Sequence, residues 1–271
     1  MNNKYPKPKK KLCQNFLISP YYAKKIASLV KSSDDSKVIE IGPGTGAVSK
    51  YLKDAYPRFH MIEMDQDIVP ILKKNLGKGK WTLHVDNILD FDLKQLGSPL
   101  HIVGNLPYNI AAMIIKKTLL NCPDTASITF MVQREVAERI IAKPQTKLNS
   151  FLSIFCQFFG IPKIAFHLPT GVFFPKPNVE SSVFQLFCNS TSIKSLPRKD
   201  WNNFFDFVSQ GFSKRRKTLA NALSWNSNSK SKLVYEKCIT IHTKNPKARP
   251  EDLSVQNWLD LYQSVKELII K

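Results

Sequence analysis

The fold follows from Val38-Ile-Glu-Ile-Gly-Pro-Gly-Thr-Gly46, an apolar run that passes directly into a glycine-rich turn. A short apolar run of this kind is typical of a buried strand. The glycines let the backbone turn sharply and approach a ligand without a clash from a Cβ atom. A helical pattern begins near Gly46, so these residues predict a strand, a ligand-binding turn and a helix in succession.

The spacing of this turn separates three kinds of ligand. A dinucleotide-binding turn has the pattern Gly-x-Gly-x-x-Gly, whereas here the third glycine is Gly46 and Ala47 occupies the expected place. A phosphate-binding P-loop ends in Gly-Lys-Ser/Thr, which residues 47–50 do not supply. An acidic residue, Glu40, stands before the pattern and suits a cofactor with a cationic, phosphate-free amino-acid end. The turn therefore predicts binding of S-adenosylmethionine.

Outward from this turn, short apolar runs alternate with helical patterns. Such alternation predicts an α/β fold with a Rossmann-like, mostly parallel sheet covered by helices on both faces. The connection between the last two runs is too short for a helical crossover, so we expect the last strand to be antiparallel. The predicted strands are Val38–Ile41, Phe59–Glu63, Trp81–Val85, Leu100–Val103, Ile128–Val132, Pro162–His167 and Ser181–Phe187, and helices are predicted over Pro20–Val30, Gly46–Lys53 and Ile68–Asn75.

Acidic residues close two successive strands after the turn. Glu63 ends the second strand, where a carboxylate can accept hydrogen bonds from both hydroxyls of a ribose. Asp86 follows the third strand and could accept a hydrogen bond from an adenine amine. An acid at one strand end is common, but recurrence at successive strand ends favours a nucleoside site. The pattern does not distinguish NAD from S-adenosylmethionine.

The most specific signal is Asn105-Leu106-Pro107-Tyr108, directly after the fourth predicted strand. The exocyclic amine of adenine is a poor nucleophile because its lone pair is conjugated into the ring. The Asn105 amide oxygen and the Leu106 carbonyl could accept its two hydrogens, with Pro107 fixing the turn. Tyr108 could stack on the base, a contact worth roughly 1–3 kcal/mol. The motif predicts methylation of an adenine amine, with the rate supplied mainly by positioning.

Charge and composition indicate the partner and the domains. The net charge is +19, and residues 1–11 hold five lysines and no acid, while residues 191–271 hold 15 basic and 7 acidic residues. Such basic ends favour a nucleic acid. A polar segment near Asn189 precedes four helical patterns, so we predict domains over residues 1–190 and 191–271. The second would be small and helical, with helices over Trp201–Phe212, Arg216–Leu223, Ser231–Lys237 and Val255–Leu268.

Several classes of protein are disfavoured by composition. The cysteines are dispersed without a CxxC pair, which argues against a disulfide framework and against a zinc site. Neither a membrane span nor a signal peptide is indicated. We therefore expect no metal, no membrane association and a cytoplasmic protein, which we take to be a monomer. The cysteines are Cys13, Cys122, Cys156, Cys188 and Cys238.

The sequence resembles the KsgA family of ribosomal RNA adenine dimethyltransferases, and the resemblance runs through nearly the whole chain. It rests on many separate motifs in the right order, which are Lys11–Leu17 (KLCQNFL), Glu40–Gly46, Glu63–Asp65, Asp86, Gly104–Ile110 (GNLPYNI), Val132–Arg139 (VQREVAER), Phe173–Ser181 (FFPKPNVES) and Phe212–Leu223 (FSKRRKTLANAL).

The resemblance implies roles for particular residues. Phe173 would pack on the face of the target base opposite Tyr108. The implied substrate is a pair of adjacent adenosines in a hairpin loop near the 3′ end of small-subunit rRNA, within a pre-small ribosomal subunit, each converted to N6,N6-dimethyladenosine. The implied binders of S-adenosylmethionine are Asn15, Leu17, Gly42, Gly44, Glu63, Asp86 and Asn105, and the implied RNA-contacting residues are Lys214, Arg215, Arg216 and Lys217.

The chain departs from the family pattern at three places. Cys13 replaces the usual glycine before Gln-Asn-Phe-Leu, which bears on the conformation of the N-terminal cofactor segment. Ala111-Ala112 stand where Ser-Thr is usual, and Asn149-Ser150 stand where Tyr-Gly is common. The acceptor-orienting residues are unaffected.

Other functions stay open at this point. Erythromycin-resistance enzymes methylate adenine in large-subunit rRNA, but they typically carry Asn-Ile-Pro-Tyr, whereas here the second residue is Leu106. DNA adenine methyltransferases usually carry Asp/Asn-Pro-Pro-Tyr/Phe and a separate sequence-reading domain. A third possibility, from another class, is an RNA-binding ribosome assembly factor whose methylation is secondary.

Overall fold

A computed structural model describes residues 6–9, 12–31, 36–121, 125–189, 191–224 and 229–269. Residues 1–5 and 10–11 of the predicted basic arm, and Cys122, lie outside them. The chain divides into two compact units, residues 1–137 with 163–188 and residues 138–162 with 189–271. We call these the sheet unit and the helical unit.

Within the described residues, the sheet unit contains one seven-stranded sheet and one two-stranded sheet. The strands are β1 (Phe16–Leu17), β2 (Lys37–Ile41), β3 (Phe59–Glu63), β4 (Trp81–Val85), β5 (Leu100–Asn105), β6 (Thr125–Gln133), β7 (Lys163–Leu168), β8 (Phe173–Phe174) and β9 (Ser181–Phe187). The large sheet has the order β4-β3-β2-β5-β6-β9-β7, and β1 pairs with β8. Strands β2 to β6 pair in parallel, whereas β9 is antiparallel to both β6 and β7.

The helices lie between the strands and in the C-terminal part of the chain. They are α1 (Pro20–Ala27), α2 (Ser49–Leu52), α3 (Val69–Leu76), α4 (Ala111–Asn121), α5 (Arg134–Ile140), α6 (Phe151–Phe159), α7 (Thr191–Ser195), α8 (Trp201–Phe212), α9 (Leu219–Leu223), α10 (Ser229–Thr243) and α11 (Val255–Ile269). Short 3-10 segments occur at Leu93–Leu96, Thr170–Val172, Arg198–Asp200 and Pro250–Asp252. No helix in the described part of the chain is long and apolar enough to cross a lipid bilayer.

The predicted fold class is confirmed. Consecutive residues of the central strands are buried, as at Ile39, Met131 and Val132, because helices cover both faces of the parallel part of the sheet. This double burial explains why neighbouring residues of these strands are apolar. The antiparallel last strand is also confirmed, since β9 follows β7 without an intervening crossover helix.

The strand order places a crevice at one edge of the large sheet. From β2 the chain continues to β3 and β4 on one side, and then returns to β5 on the other side. In open α/β sheets, ligands bind outside the carboxyl ends of the strands where the order reverses. The carboxyl ends of β2, β3, β4 and β5 bring Gly42, Glu63, Asp86 and Asn105 to this edge.

The helical unit is held together by aromatic side chains. Phe155 of α6 lies 4.7 Å from Phe205 of α8 between ring centroids, and Phe158 lies 5.6 Å from Phe204. This packing explains why residues 138–162 belong to the helical unit, whereas the sequence placed them in a domain over 1–190. The helical unit resumes at Asn189.

In this unit, the helix that was predicted to begin at Arg216 begins later, after the basic residues 214–217. The prediction of a helix over Arg216–Leu223 is wrong at its start, because α9 begins at Leu219. Residues 213–217 form a turn instead, in which the Lys217 N–H donates to the Lys214 carbonyl at 2.8 Å. Helix α8 has the predicted bounds Trp201–Phe212.

Candidate active site

A cavity of about 990 Å³, part of it open to solvent, lies at the carboxyl edge of β2 to β5 in the sheet unit. The cavity is lined by predicted site residues from five different segments of the chain. Its lining includes Asn15, Leu17, Glu40, Gly42, Gly44, Glu63, Asp86, Asn105, Leu106, Pro107 and Tyr108.

The glycine-rich turn forms one wall of the cavity. Gly42 and Gly44 have φ values of +65° and +55°, a region that favours glycine because it lacks a Cβ atom. The Gly44 N–H donates to Glu63 Oε2 at 3.1 Å. The turn therefore passes close to the end of β3 and leaves its backbone open toward the cavity.

Glu63 is held as a hydrogen-bond acceptor at the cavity wall. Its side chain is buried, and Oε1 accepts a second hydrogen bond from the Asp65 N–H at 2.9 Å. Burial raises the pKa of Glu63 above its ordinary value, against these backbone hydrogen bonds. The two carboxylate oxygens retain lone pairs that can accept both hydroxyls of a ribose. Asp86, one strand further, is exposed and accepts the Asn87 N–H at 2.7 Å.

Glu40 lies deeper, below the turn. It is 3% exposed, and the Ser49 hydroxyl donates to its Oε2 at 2.5 Å. Burial raises the pKa of Glu40 to about 8, although the Ser49 hydrogen bond opposes the shift. A cationic ligand group bound beside Glu40 would favour the ionised form of its carboxyl group, which is the pairing that the sequence predicts for the acid before the turn.

The raised pKa of Glu40 makes stability depend on pH. Between pH 4.5 and pH 8 the folded chain keeps a proton on Glu40 that the unfolded chain releases. The contribution of this proton to the free energy of unfolding is therefore present at low pH and is lost as pH rises. We expect the stability of the ligand-free parent relative to Glu40→Gln to fall by at most about 4 kcal/mol over this range. Urea unfolding of both proteins at pH 5 and pH 8.5 measures the difference, and histidine titration cancels in it. If the parent instead became more stable relative to Glu40→Gln as pH rises, Glu40 would be ionised and stabilised in the fold.

The N-terminal segment closes one side of the cavity through contacts that the sequence did not indicate. Gln14 Nε2 donates to Asp65 Oδ2 at 2.6 Å, and Lys9 Nζ lies 2.5 Å from both Asp65 Oδ1 and Asp67 Oδ2. Burial raises the pKa of Asp65, but hydrogen bonds from Lys9 and Gln14 outweigh it and hold that pKa below its ordinary value. Asp65 thus anchors the segment that carries Asn15 and Leu17 to the cavity wall.

Cys13 is strained within this segment. It has a φ of +48°, where a side chain is unfavourable by roughly 1–2 kcal/mol. The family pattern carries glycine here, and the backbone conformation explains that preference. The Asn15 Nδ2 group donates to the Cys13 carbonyl at 3.1 Å, so the turn keeps its shape despite the substitution.

Replacing Cys13 by glycine is expected to relieve this strain. Because the extra flexibility of glycine offsets part of the gain, we expect the free energy of unfolding to rise by at most about 1 kcal/mol. Urea unfolding of the variant and the parent measures the change. Cys13→Ala is the matched control, since it removes the thiol but keeps the Cβ atom, and it should gain no stability from strain relief. Equal stabilities of the glycine and alanine variants would contradict the strain argument.

The Asn105–Tyr108 loop has a fixed orientation. The Asn105 Nδ2 group donates to the Asn15 carbonyl at 2.9 Å, and a carbonyl partner identifies the donor atom of the amide. Oδ1 is therefore the atom left to accept a hydrogen bond from a ligand. The Leu106 N–H donates to the Met131 carbonyl at 3.0 Å, and the Tyr108 hydroxyl lies 2.7 Å from Ser181 Oγ.

Phe173, which the resemblance places against the target base, is buried away from the cavity in this structure. It is 3% exposed, pairs with Leu17 across β1 and β8, and is not among the described residues that line the cavity. Contact with a base would require its ring to be uncovered, so this role stays a prediction. Its neighbour Phe174 is 40% exposed.

The basic segment 214–217 belongs to the helical unit, and its members differ. Lys214, Arg216 and Lys217 are exposed. Arg215 is half-buried, and its Nη2 donates to the carbonyls of Lys147 and Asn149 at 2.8 and 3.0 Å. Arg215 therefore stabilises the 147–149 loop in this structure, and RNA contact by the segment stays a prediction.

Together, the fold and the cavity define a class. A mostly parallel sheet with an antiparallel β9, a Gly-x-Gly-x-Gly turn after β2 and acids at the carboxyl ends of β3 and β4 define a Rossmann-like, S-adenosylmethionine-dependent methyltransferase. Residues 6–267 match the family model described as ribosomal RNA adenine dimethylase. The chain belongs to this family.

Individual relatives agree with the assignment. The chain is 38% identical over 217 residues to ribosomal RNA small subunit methyltransferase A of Thiobacillus denitrificans, covering 80% of this chain and 84% of the relative. A dimethyladenosine transferase from Plasmodium falciparum has a similar fold, with a TM-score of 0.77 at 21% identity, covering 93% and 98% of the two chains. The 23S rRNA methyltransferase ErmE has a TM-score of 0.71 at 18% identity, covering 93% and 99%. At these identities the two structures support the fold alone.

Proposed function

We propose that this chain transfers methyl groups from S-adenosylmethionine to N6 of two adjacent adenosines in a hairpin loop near the 3′ end of small-subunit rRNA. The product at each position is N6,N6-dimethyladenosine. The enzyme acts as a cytoplasmic monomer on a pre-small ribosomal subunit. The family and the relative from Thiobacillus denitrificans support the substrate.

The observation that carries the proposal is the orientation of Asn105. Its amide nitrogen is committed to the Asn15 carbonyl, so Oδ1 accepts one hydrogen of the adenine amine while the Leu106 carbonyl accepts the other. These two acceptors draw the nitrogen toward a tetrahedral geometry and free its lone pair. Tyr108 stacks on the base and keeps the amine in line for transfer.

The cavity residues fit the cofactor by their chemistry. Glu63 offers two buried carboxylate oxygens to ribose hydroxyls, Asp86 offers an acceptor to an adenine amine, and Glu40 favours a cationic group. When bound, S-adenosylmethionine supplies an electrophilic methyl group on a sulfonium. Transfer forms an N–C bond, breaks the S–C bond and releases a proton from the amine. The chain needs no strong general base because the methylated nitrogen is acidic.

Positive charge holds the RNA. Lys214, Arg216 and Lys217 contact phosphates and contribute affinity that is largely independent of sequence. The formal charge of +19 supports a polyanionic partner.

A direct assay tests the proposal. Under-methylated small subunits are incubated with the chain and labelled S-adenosylmethionine, and the rRNA is digested and analysed by mass spectrometry. We expect two adjacent dimethyladenosines near the 3′ end. Label in large-subunit rRNA or in DNA would overturn the substrate, and a product that stops at monomethyladenosine would overturn dimethylation.

A further inference from the structure

The hydroxyl of Tyr108 is paired with a serine from a distant part of the chain. Its oxygen lies 2.7 Å from Ser181 Oγ, and Ser181 is fully buried at the first position of β9. Tyr108 is half-buried in the turn after β5. The contact joins residues 73 positions apart, so it depends on how the sheet is assembled.

Ser181 is a fixed point at the active-site edge of the sheet. Because β9 runs against the parallel strands, its first residue lies at the edge where those strands end. Ser181 pairs with Gln133 of β6 on one side and with Leu168 of β7 on the other. The preceding Glu180 carbonyl accepts the Arg134 N–H at 2.9 Å, which further restrains the entry into the strand.

This pairing determines which part of Tyr108 meets a ligand. Since the hydroxyl is engaged with Ser181, the ring face is the part left to contact a base. Burial raises the pKa of Tyr108, against the hydrogen bond from Ser181, so the phenol stays neutral near pH 7. Tyr108 is therefore a stacking surface and not a proton acceptor.

We propose that Ser181 is a positioning residue, which fixes the Tyr108 ring through the hydroxyl contact so that the target adenine is held in line with the transferred methyl group. The proposal rests on the proposed function, because it concerns the same adenine pocket. It adds a residue that neither the loop motif nor the cofactor-binding pattern indicates.

A double-mutant cycle in the full chain tests the contact. Ser181→Ala and Tyr108→Phe each remove one hydroxyl, and each should lower kcat on under-methylated small subunits by about fivefold, with the KM for S-adenosylmethionine unchanged. The double variant should lose no more than either single variant, because both changes remove the same hydrogen bond. Ser181→Thr keeps the hydroxyl and should recover most of the rate.

Ser182→Ala is the matched control. Ser182 is equally buried on the same strand, but its hydroxyl lies 2.7 Å from His167 Nδ1. This variant should keep the parent kcat, and thermal unfolding of all variants checks their folding. The proposal would be overturned if the decrease in kcat of the double variant equalled the product of the two single decreases, or if Ser181→Ala were fully active.

A second measurement does not depend on turnover. In carbon-13-labelled protein, the Tyr108 phenol should titrate at higher pH in Ser181→Ala than in the parent, because the hydrogen bond that lowers its pKa is gone. If the parent does not methylate small subunits, the proposed function fails while this titration still tests the contact. An unchanged Tyr108 titration would overturn the Ser181 contact while leaving the proposed function intact.

Discussion

Asn105→Ala is expected to lower kcat for methyl transfer by about 10²–10³-fold, the usual cost of removing one preorganised polar contact to a reacting group. The variant lacks Oδ1, so one hydrogen of the adenine amine has no acceptor and the lone pair stays conjugated. It also lacks the hydrogen bond to the Asn15 carbonyl. Single-turnover transfer from labelled S-adenosylmethionine to under-methylated small subunits measures the loss.

The control for Asn105→Ala separates chemistry from binding. Asn109→Ala changes the same residue type four positions later, where the side chain is exposed, and should keep the parent rate. Cofactor affinity of Asn105→Ala should fall by less than about tenfold, because Glu63 and Asp86 remain. More than a tenth of the parent rate in Asn105→Ala would contradict the assigned role.

The same variant distinguishes an enzyme from an assembly factor. RNA binding by the basic residues should survive the substitution, so Asn105→Ala should still associate with small subunits. If cells that carry only this variant assemble subunits normally while cells without the protein do not, then binding is the main role of the chain. If both fail alike, methylation itself is required.

The large sheet could be predicted from sequence because strands buried on both faces are locally rich in apolar residues. Strands such as β2 and β6 carry buried apolar residues on both faces, and the ends of the predicted strands place Glu63, Asp86 and Asn105 at one edge of the sheet. Parallel topology then brings these residues together without any knowledge of side-chain contacts. This is why the sequence alone groups the residues that we propose to bind the cofactor.

Contacts between distant segments could not be predicted in this way. Lys9 and Gln14 reach Asp65 across 56 and 51 positions, and Tyr108 reaches Ser181 across 73. Periodicity reports which face of an element is buried, and it carries no information on its partner. These residues are polar and lie in loops or at the ends of elements, where no repeating pattern exists.

The helical unit shows the same limit for apolar residues. Helix α6 reads Phe-Leu-Ser-Ile-Phe-Cys-Gln-Phe-Phe, with buried residues on nearly every side. A helix that is apolar over most of its surface gives no sign of the unit on which it packs. The sequence groups residues 138–162 with residues 1–190, whereas in the structure the aromatic side chains of α6 pack on α8.

Glu63→Gln is expected to weaken S-adenosylmethionine binding by about 10–100-fold, since hydrogen bonds to a charged group contribute roughly 1.5–3 kcal/mol. In the parent, both carboxylate oxygens already accept backbone hydrogen bonds, from Gly44 and Asp65. A glutamine must turn its NH₂ group toward one of these N–H donors, which places two donors against each other. It also offers a single oxygen to two ribose hydroxyls.

Kinetics and pH dependence make the Glu63 prediction specific. At saturating cofactor the rate should recover, because Glu63 lies away from the amine, so KM for S-adenosylmethionine rises while kcat changes little.

Burial raises the pKa of Glu63, and protonation removes an acceptor, so cofactor affinity of the parent should fall as pH drops through a midpoint above the ordinary glutamate value. The part of this acid limb that Glu63 contributes should be missing in Glu63→Gln, which leaves the part from Glu40, and Glu267→Gln, an exposed glutamate of α11, should retain both. An unchanged Kd in Glu63→Gln would place the ribose elsewhere, whereas a loss confined to kcat would place Glu63 in the methyl-transfer step.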